Sequence, residues 1–280
     1  MLHLGVFLTK STKLAKIQGM ELVSDSILGQ LKKPNPNSHK GDNGRVLVIA
    51  GSDKYHGALL LAIQSASRLV DMVYVYSVDA NLKLIEKLKS EISVFITIDG
   101  DELWKTIDLV DVVLIGPGLE ESRANKKLVE KILKKYPEKK TIIDATAFWH
   151  LDPLWLHPNC IVTPHTREFE NTFKCAPTPE NVLKMAKYYQ CVVALKGKYD
   201  YVSDGKELWE NRTGNVGMTK GGTGDVLAGL ITGFSATNNL LTSAQAGVYL
   251  NGLAGDNLFE KSGTFYNAED LINELKIIKI

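Results

Sequence analysis

The residues of this chain best suited to chemistry form one short run, Gly221-Gly222-Thr223-Gly224-Asp225. Its glycines lead into residues 226–234, an apolar, small-residue segment that reads as a buried helix. The first amides of a helix have no intrahelical acceptor, so a glycine loop opening one leaves N–H groups aimed outward at anions. Glycine adds room, because without a Cβ the main chain can approach a phosphate closely. Asp225 complicates that picture by setting a carboxylate at the mouth of the same helix. Two roles suit it. It caps the helix start, the commoner role for an acid there, or it is a general base beside a transferring phosphoryl group. The spacing matches neither G-x-x-x-x-G-K-[ST] nor G-x-G-x-x-G, the common phosphate loops.

Such a loop needs a scaffold, and the chain offers strands alternating with helical patterns. Residues 45–50 (RVLVIA) form a continuous apolar strand ahead of Gly51-Ser52, with a small-residue helix over 57–70 and a second strand over 73–78. Residues 111–115 (DVVLI) run to Gly116-Pro117-Gly118, 141–143 to Asp144, 160–162 to Thr163-Pro164-His165, and 191–195 to Lys196-Gly197. Helices are expected over 126–136, 179–189, 223–237 and 242–260, with a short one from Glu269. Upstream, residues 22–31 suit a helix and 32–38, holding Pro34 and Pro36, a turn-rich link. Near-continuously apolar strands between helices predict an α/β fold, a central mostly parallel sheet with helices on both faces. Open sheets of this kind bind ligands at the carboxyl ends of their strands. Gly51, Gly116, Asp144, His165 and Lys196 all fall there.

Each of these residues has a plain reading beside the functional one. His165 bonds the loop backbone or meets a ligand. Asp144 orients phosphate or magnesium, or caps the turn that follows it. Lys196 is a snorkelling surface lysine or a phosphate contact. Glu168 suits the first turn of a helix starting at Thr166. The four tryptophans have no spacing that makes a stacking platform and read as packing residues.

Composition narrows the classes. A net charge of +1 gives no basic surface for nucleic acid or an anionic membrane. No apolar run is long enough to span a bilayer. Three cysteines without C-x-x-C spacing point to a reducing, cytoplasmic setting with no disulfide framework or zinc site. The lysine-rich segments 83–89 and 126–140 read as solvated helix faces. Residues 1–37 read as an N-terminal extension, residues 2–8 being too short for a signal sequence, and 38–280 as one domain.

Taken in order, the motifs resemble a known family. S-H-K-G at 38–41, V-L-V-I-A-G-S at 46–52, Y-H-G-A at 55–58, G-P-G-L at 116–119, I-D-A at 143–145, T-P-H at 163–165 with Glu168, L-K-G at 195–197, and residues 214–229 are similar to the ribokinase-like NAD(P)H-hydrate dehydratases. The resemblance implies an enzyme that restores NADH and NADPH from the S form of their hydrates. It would spend ADP or ATP, with ADP favoured, and Mg2+. The ring hydroxyl would be phosphorylated and the phosphate then eliminated. By the same resemblance Asp225 is the base, and the amides of Gly222, Thr223 and Gly224 form the anion hole. The hydrate would lie near Ala58, Gly118, His165 and Asp225. The adenine nucleotide would lie against Lys196, Gly197, Lys198, Tyr199, Asp200 and Gly224. Glu168 would organise magnesium through water, as an equivalent acid does in related kinases. Members form symmetric homo-oligomers, and a chain without an epimerase domain would act on one epimer alone.

Four positions depart from the family pattern: Glu120 for the last glycine of G-P-G-L-G, Thr146 for an acid, Arg167 for a glycine, and Asn251 for a histidine. Two other readings therefore stand beside the dehydratase. One is a small-molecule kinase of the same fold, acting on a hydroxymethylpyrimidine or hydroxyethylthiazole. The other is a catalytically silent nucleotide-binding protein.

Overall fold

A computed structural model of the chain describes residues 19–87 and 92–278. The strands are β1 (Met20–Leu22), β2 (Arg45–Ile49), β3 (Met72–Tyr76), β4 (Ile96–Thr97), β5 (Val112–Ile115), β6 (Lys140–Ile143), β7 (Cys160–Val162), β8 (Val192–Leu195), β9 (Asp200–Ser203) and β10 (Leu208–Asn211). They form one sheet in the order β1-β10-β9-β8-β7-β6-β5-β2-β3-β4. Every neighbouring pair is parallel except those made by β9, which runs antiparallel to both β8 and β10. The chain leaves β2 toward β3 and returns on the other side at β5, so the sheet's direction of winding switches between β2 and β5.

Alternation along these strands feeds two cores at once. Val46 and Val48 of β2 face α1 (His56–Ala66), α2 (Asp79–Lys87), α8 (Thr223–Thr237) and α9 (Leu240–Ser262). Leu47 and Ile49 face the opposite layer, α3 (Leu103–Leu109), α4 (Arg123–Lys135), α5 (Ala147–His150), α6 (Thr166–Phe173) and α7 (Pro179–Tyr189). All four side chains are buried, which is why β2 reads as an unbroken apolar run. Helix α8 is apolar all round because it is covered twice. Leu227 and Ile231 meet the sheet side, while Val226, Leu230 and Phe234 meet α10 (Ala268–Glu274) and α9. Its contact with α1 needs a missing side chain, since a Cβ on Gly229 would stand 2.0 Å from Ser65 Oγ.

The upstream segment differs from its expected helix. Met20–Leu22 is a strand paired with β10, and Asp25–Gln30 is a 3-10 turn. The four-residue spacing of Val23, Ile27 and Leu31 does serve burial, but the strand bond from Val23 N to Glu210 O holds the first of these in extended chain. Part of the expected extension is thus laid on the sheet. Residues 1–18, and Lys89 of the segment 83–89, lie outside the described residues. Strands β9 and β10 carry no continuous apolar run, and their hairpin signal is Asp204-Gly205, with Gly205 at φ +86°. Cys160, Cys175 and Cys191 are free. Among the described residues no helix is long and apolar enough to cross a membrane.

Candidate active site

The glycine run folds at the carboxyl rim as the start of α8. Gly222 is its N-cap at φ +97°, and a Cβ there would stand 2.5 Å from Leu61 Cδ1 and 2.8 Å from Ala268 Cβ. Glycine is therefore required twice over, for backbone sign and for space. Val226 N is the first amide of the helix to bond back, to Gly222 O at 3.0 Å, which leaves those of Thr223, Gly224 and Asp225 directed at the rim. The loop before them is anchored from behind. Lys220 Nζ donates to the carbonyls of Thr264 and Tyr266, Tyr266 Oη bonds Asn215 Oδ1 at 2.8 Å, and Asn215 Nδ2 bonds Asp256 Oδ1 at 3.0 Å.

Asp225 does not cap this helix. Its carboxylate makes no capping bond and faces a hollow of about 600 Å³ shared with Ala58, Gly118, Gly222, Tyr55, His56 and Thr146. Burial pushes its pKa up to about 7, with the Asp144 carboxylate adding to the rise and Lys196 opposing it. The group is therefore poised to gain or lose a proton near neutrality.

On the other side of the same helix start lies a second hollow, of about 730 Å³. Lys196, Gly197, Lys198, Tyr199 and Asp200 line one wall, with Thr223 and Gly224 between them and residues 213–219. Asp200 shapes that wall by accepting from Gly197 N at 3.2 Å and from Asn211 Nδ2 at 3.0 Å. Burial raises its pKa to about 6 against those bonds. Asn251, 5% exposed, also lines this hollow. Its Nδ2 leans on Thr223 O at 3.4 Å and its Oδ1 finds no partner. A buried acceptor left open costs free energy unless a ligand or water satisfies it.

Lys196 lines the second hollow beside the helix start. Its Nζ lies 2.5 Å from Asp144 Oδ1, which also accepts from Thr163 Oγ1 at 2.8 Å. A Cβ on Gly224 would stand 3.6 Å from that Nζ, so the ammonium sits beside the helix amides. Burial works against its charge, but Asp144, Glu168 and Asp225 outweigh that and raise its pKa above the ordinary value. The rim thus holds a permanent cation and a row of free amides around one point, the arrangement that stabilises a migrating phosphoryl group.

His165 and Glu168 line neither hollow. They form a reciprocal cap on α6: His165 Nδ1 accepts from the amides of Arg167 at 3.1 Å and Glu168 at 3.3 Å, while Glu168 Oε2 accepts from His165 N at 2.8 Å. The other carboxylate oxygen lies 3.4 Å from His165 Nε2. Burial pushes the Glu168 carboxyl up to about 7, opposed by Lys196. Magnesium prefers several oxygen ligands, and of the two Glu168 oxygens Oε2 is taken by His165 N. No group of three potential ligands gathers among the described residues. The sequence reading assigned no role to Tyr55, His56 or residues 213–219; their signal was adjacency to Y-H-G-A and to the glycine run. A further hollow, of about 510 Å³, opens at the far end of α8 beside Arg68 and Phe234, away from the rim.

A family model described as NAD(P)H-hydrate dehydratase matches residues 46–277. The chain belongs to the NAD(P)H-hydrate dehydratase family. Its architecture is ribokinase-like. A bifunctional NAD(P)H-hydrate repair enzyme of Methanocaldococcus jannaschii is 37% identical over 99% of this chain; the chain spans 58% of that relative's length. An ADP-dependent (S)-NAD(P)H-hydrate dehydratase of Nitrosopumilus maritimus is 32% identical over 86% of this chain and 90% of its own. A crystal structure of the ADP/ATP-dependent NAD(P)H-hydrate dehydratase of Bacillus subtilis, co-crystallised with ATP and Mg2+, matches 92% of this chain and 96% of its own. It does so at 27% identity and a TM-score of 0.77.

Proposed function

We propose that this protein dehydrates the S form of hydrated NADH and NADPH at the expense of ADP or ATP, returning the dihydronicotinamide. One observation carries the reading: Asp225, with a pKa of about 7, faces one hollow from the first turn of α8, while Gly224 and Lys196 face another. The nucleotide fills the hollow of residues 196–200 and presents its terminal phosphoryl group to the amides of Gly222, Thr223 and Gly224. The hydrate enters over Ala58 and Gly118 and points its ring hydroxyl at Asp225. Asp225 takes the hydroxyl proton as the oxygen bonds to phosphorus and the bond to the departing nucleotide breaks. The new phosphate ester then leaves as inorganic phosphate, and loss of a ring proton restores the double bond. Hydroxide is a poor leaving group and phosphate a good one, which is what the nucleotide is for.

Magnesium accompanies the nucleotide's phosphates in this reading, and no step passes through it. His165 contributes by holding α6, and with it Glu168, against Lys196. Residues 38–280 form the dehydratase domain, in a homo-oligomer and a cytoplasmic setting. The test is direct. Pure protein is incubated with enzymatically prepared hydrated NADH, Mg2+ and either nucleotide, and the absorbance of the dihydronicotinamide is followed. Recovery with ADP or ATP, and none without nucleotide, is expected; no recovery with either overturns the reading.

A further inference from the structure

A third hollow, of about 780 Å³, opens on the same rim beyond β2, β3, β4 and β5. It adjoins the one Asp225 faces, and two loops present residues to both. In the loop after β2, Asp53 lines the third hollow while Lys54 and Tyr55 line the Asp225 side; after β5, Leu119 and Gly118 divide likewise. A buried tether fixes the two walls together. His56 Nδ1 lies 2.8 Å from Asn81 Oδ1, Asn81 Nδ2 donates to Ser77 Oγ at 2.7 Å, and Ser77 Oγ donates to Ala50 O at 2.6 Å. Asn81 is wholly buried, so this chain sets the position of α2 against α1.

The lining is chemically mixed in a telling way. Leu82, Leu103 and Leu128 give apolar flanks of the kind that holds a flat ring. Asp53 and Asp79 face the same space and accept no hydrogen bond among the described residues, whereas Asp99 is occupied by the amides of Asp101 and Glu102. Free carboxylates beside an apolar slot are the groups that accept ribose hydroxyls. A hydrated dinucleotide has two nucleosides, and the hollow at Asp225 needs only the one that reacts.

We propose that the third hollow binds the adenosine half of the hydrated dinucleotide, the half that takes no part in the chemistry. This rests on the dehydratase reading above. The phosphates that join the halves cross the partition at Asp53–Lys54 and Gly118–Leu119.

The experiment compares hydrated NADH with hydrated reduced nicotinamide mononucleotide, which carries the same ring without the adenosine half. Both are assayed with the intact protein and with Ala124→Trp and Ala80→Trp, each filling the third hollow from an exposed helix position outside the other two. Circular dichroism and melting establish that each variant is folded, and two sites guard against one misfolding. The parent should favour the dinucleotide by about tenfold or more in kcat/KM, and each variant should lose about tenfold on the dinucleotide while staying within about twofold on the mononucleotide. Equal losses on both substrates, or no loss on the dinucleotide, overturn this inference alone. Failure of the parent to dehydrate either substrate overturns the dehydratase reading and this one with it.

Discussion

Replacing Asp225 by Asn separates a base from a structural acid because activity and stability should move in opposite directions. Loss of a general base lowers turnover by roughly a hundredfold to ten-thousandfold, about 3–5 kcal/mol of transition-state free energy. Stability follows from the same group's proton affinity. Its pKa rises from 3.8 to about 7 on folding, chiefly through burial. A carboxyl raised in this way supports folding only while protonated. Its contribution is full below pH 3.8 and is lost as pH rises through about 7. Three powers of ten in proton affinity correspond to about 4 kcal/mol. Against this stands up to about 1 kcal/mol of favourable charge–dipole energy at the helix start, which Asn forgoes. Asn never ionises, so the variant should exceed the parent by about 2–3 kcal/mol at pH 8, roughly 5–10 °C in Tm. The gap should close as pH falls toward 4. Thermal melts across that range, alongside the nucleotide-dependent recovery of dihydronicotinamide, read both quantities. Parent activity should also fall as pH drops below about 7, where Asp225 is protonated. A variant that melts lower than the parent at pH 8, or keeps turnover within about tenfold of it, would refute the assignment.

Three further outcomes are expected. Lys196→Met strands the Asp144 carboxylate, whose side chain is 2% exposed, and should cost about 3–5 kcal/mol by urea unfolding while weakening nucleotide binding in calorimetry. Gly222→Ala forces a Cβ toward Leu61 and Ala268 at φ +97°; about 1–3 kcal/mol should be lost in the same unfolding measurement, with turnover falling because the amides are displaced. Asn251→Leu removes an orphaned acceptor, so the free protein should melt no lower, whereas nucleotide affinity should fall by about tenfold, the size of one hydrogen bond.

How far the sequence reveals this molecule depends on what each segment buries. The strands covered on both faces, such as residues 45–49 and 112–115, announce themselves as apolar runs. Helices 179–189 and 223–237 are bounded as read because Thr178 with Pro179, and the glycines ahead of Thr223, mark their starts. The outer strands escape notice: Asp200–Ser203 and Leu208–Asn211 alternate polar and apolar residues and depend on partners far along the chain. At the site, local sequence gives the helix mouth and the strand-end residues, and the motif order sorts them by ligand. It does not reveal that His165 and Glu168 spend their polar atoms on each other, nor that residues 213–219 wall a hollow. Both facts arise where the ends of distant elements meet.

The first turn of α8 stands as a partition, with one chamber on either side and separate doors to solvent. Two reactants housed this way need not queue, since neither blocks the other's entrance or exit. On the proposed reading, turnover would then proceed through a ternary complex with no compulsory order of arrival. The partition itself, the start of α8, is a stretch of protein that both molecules would share.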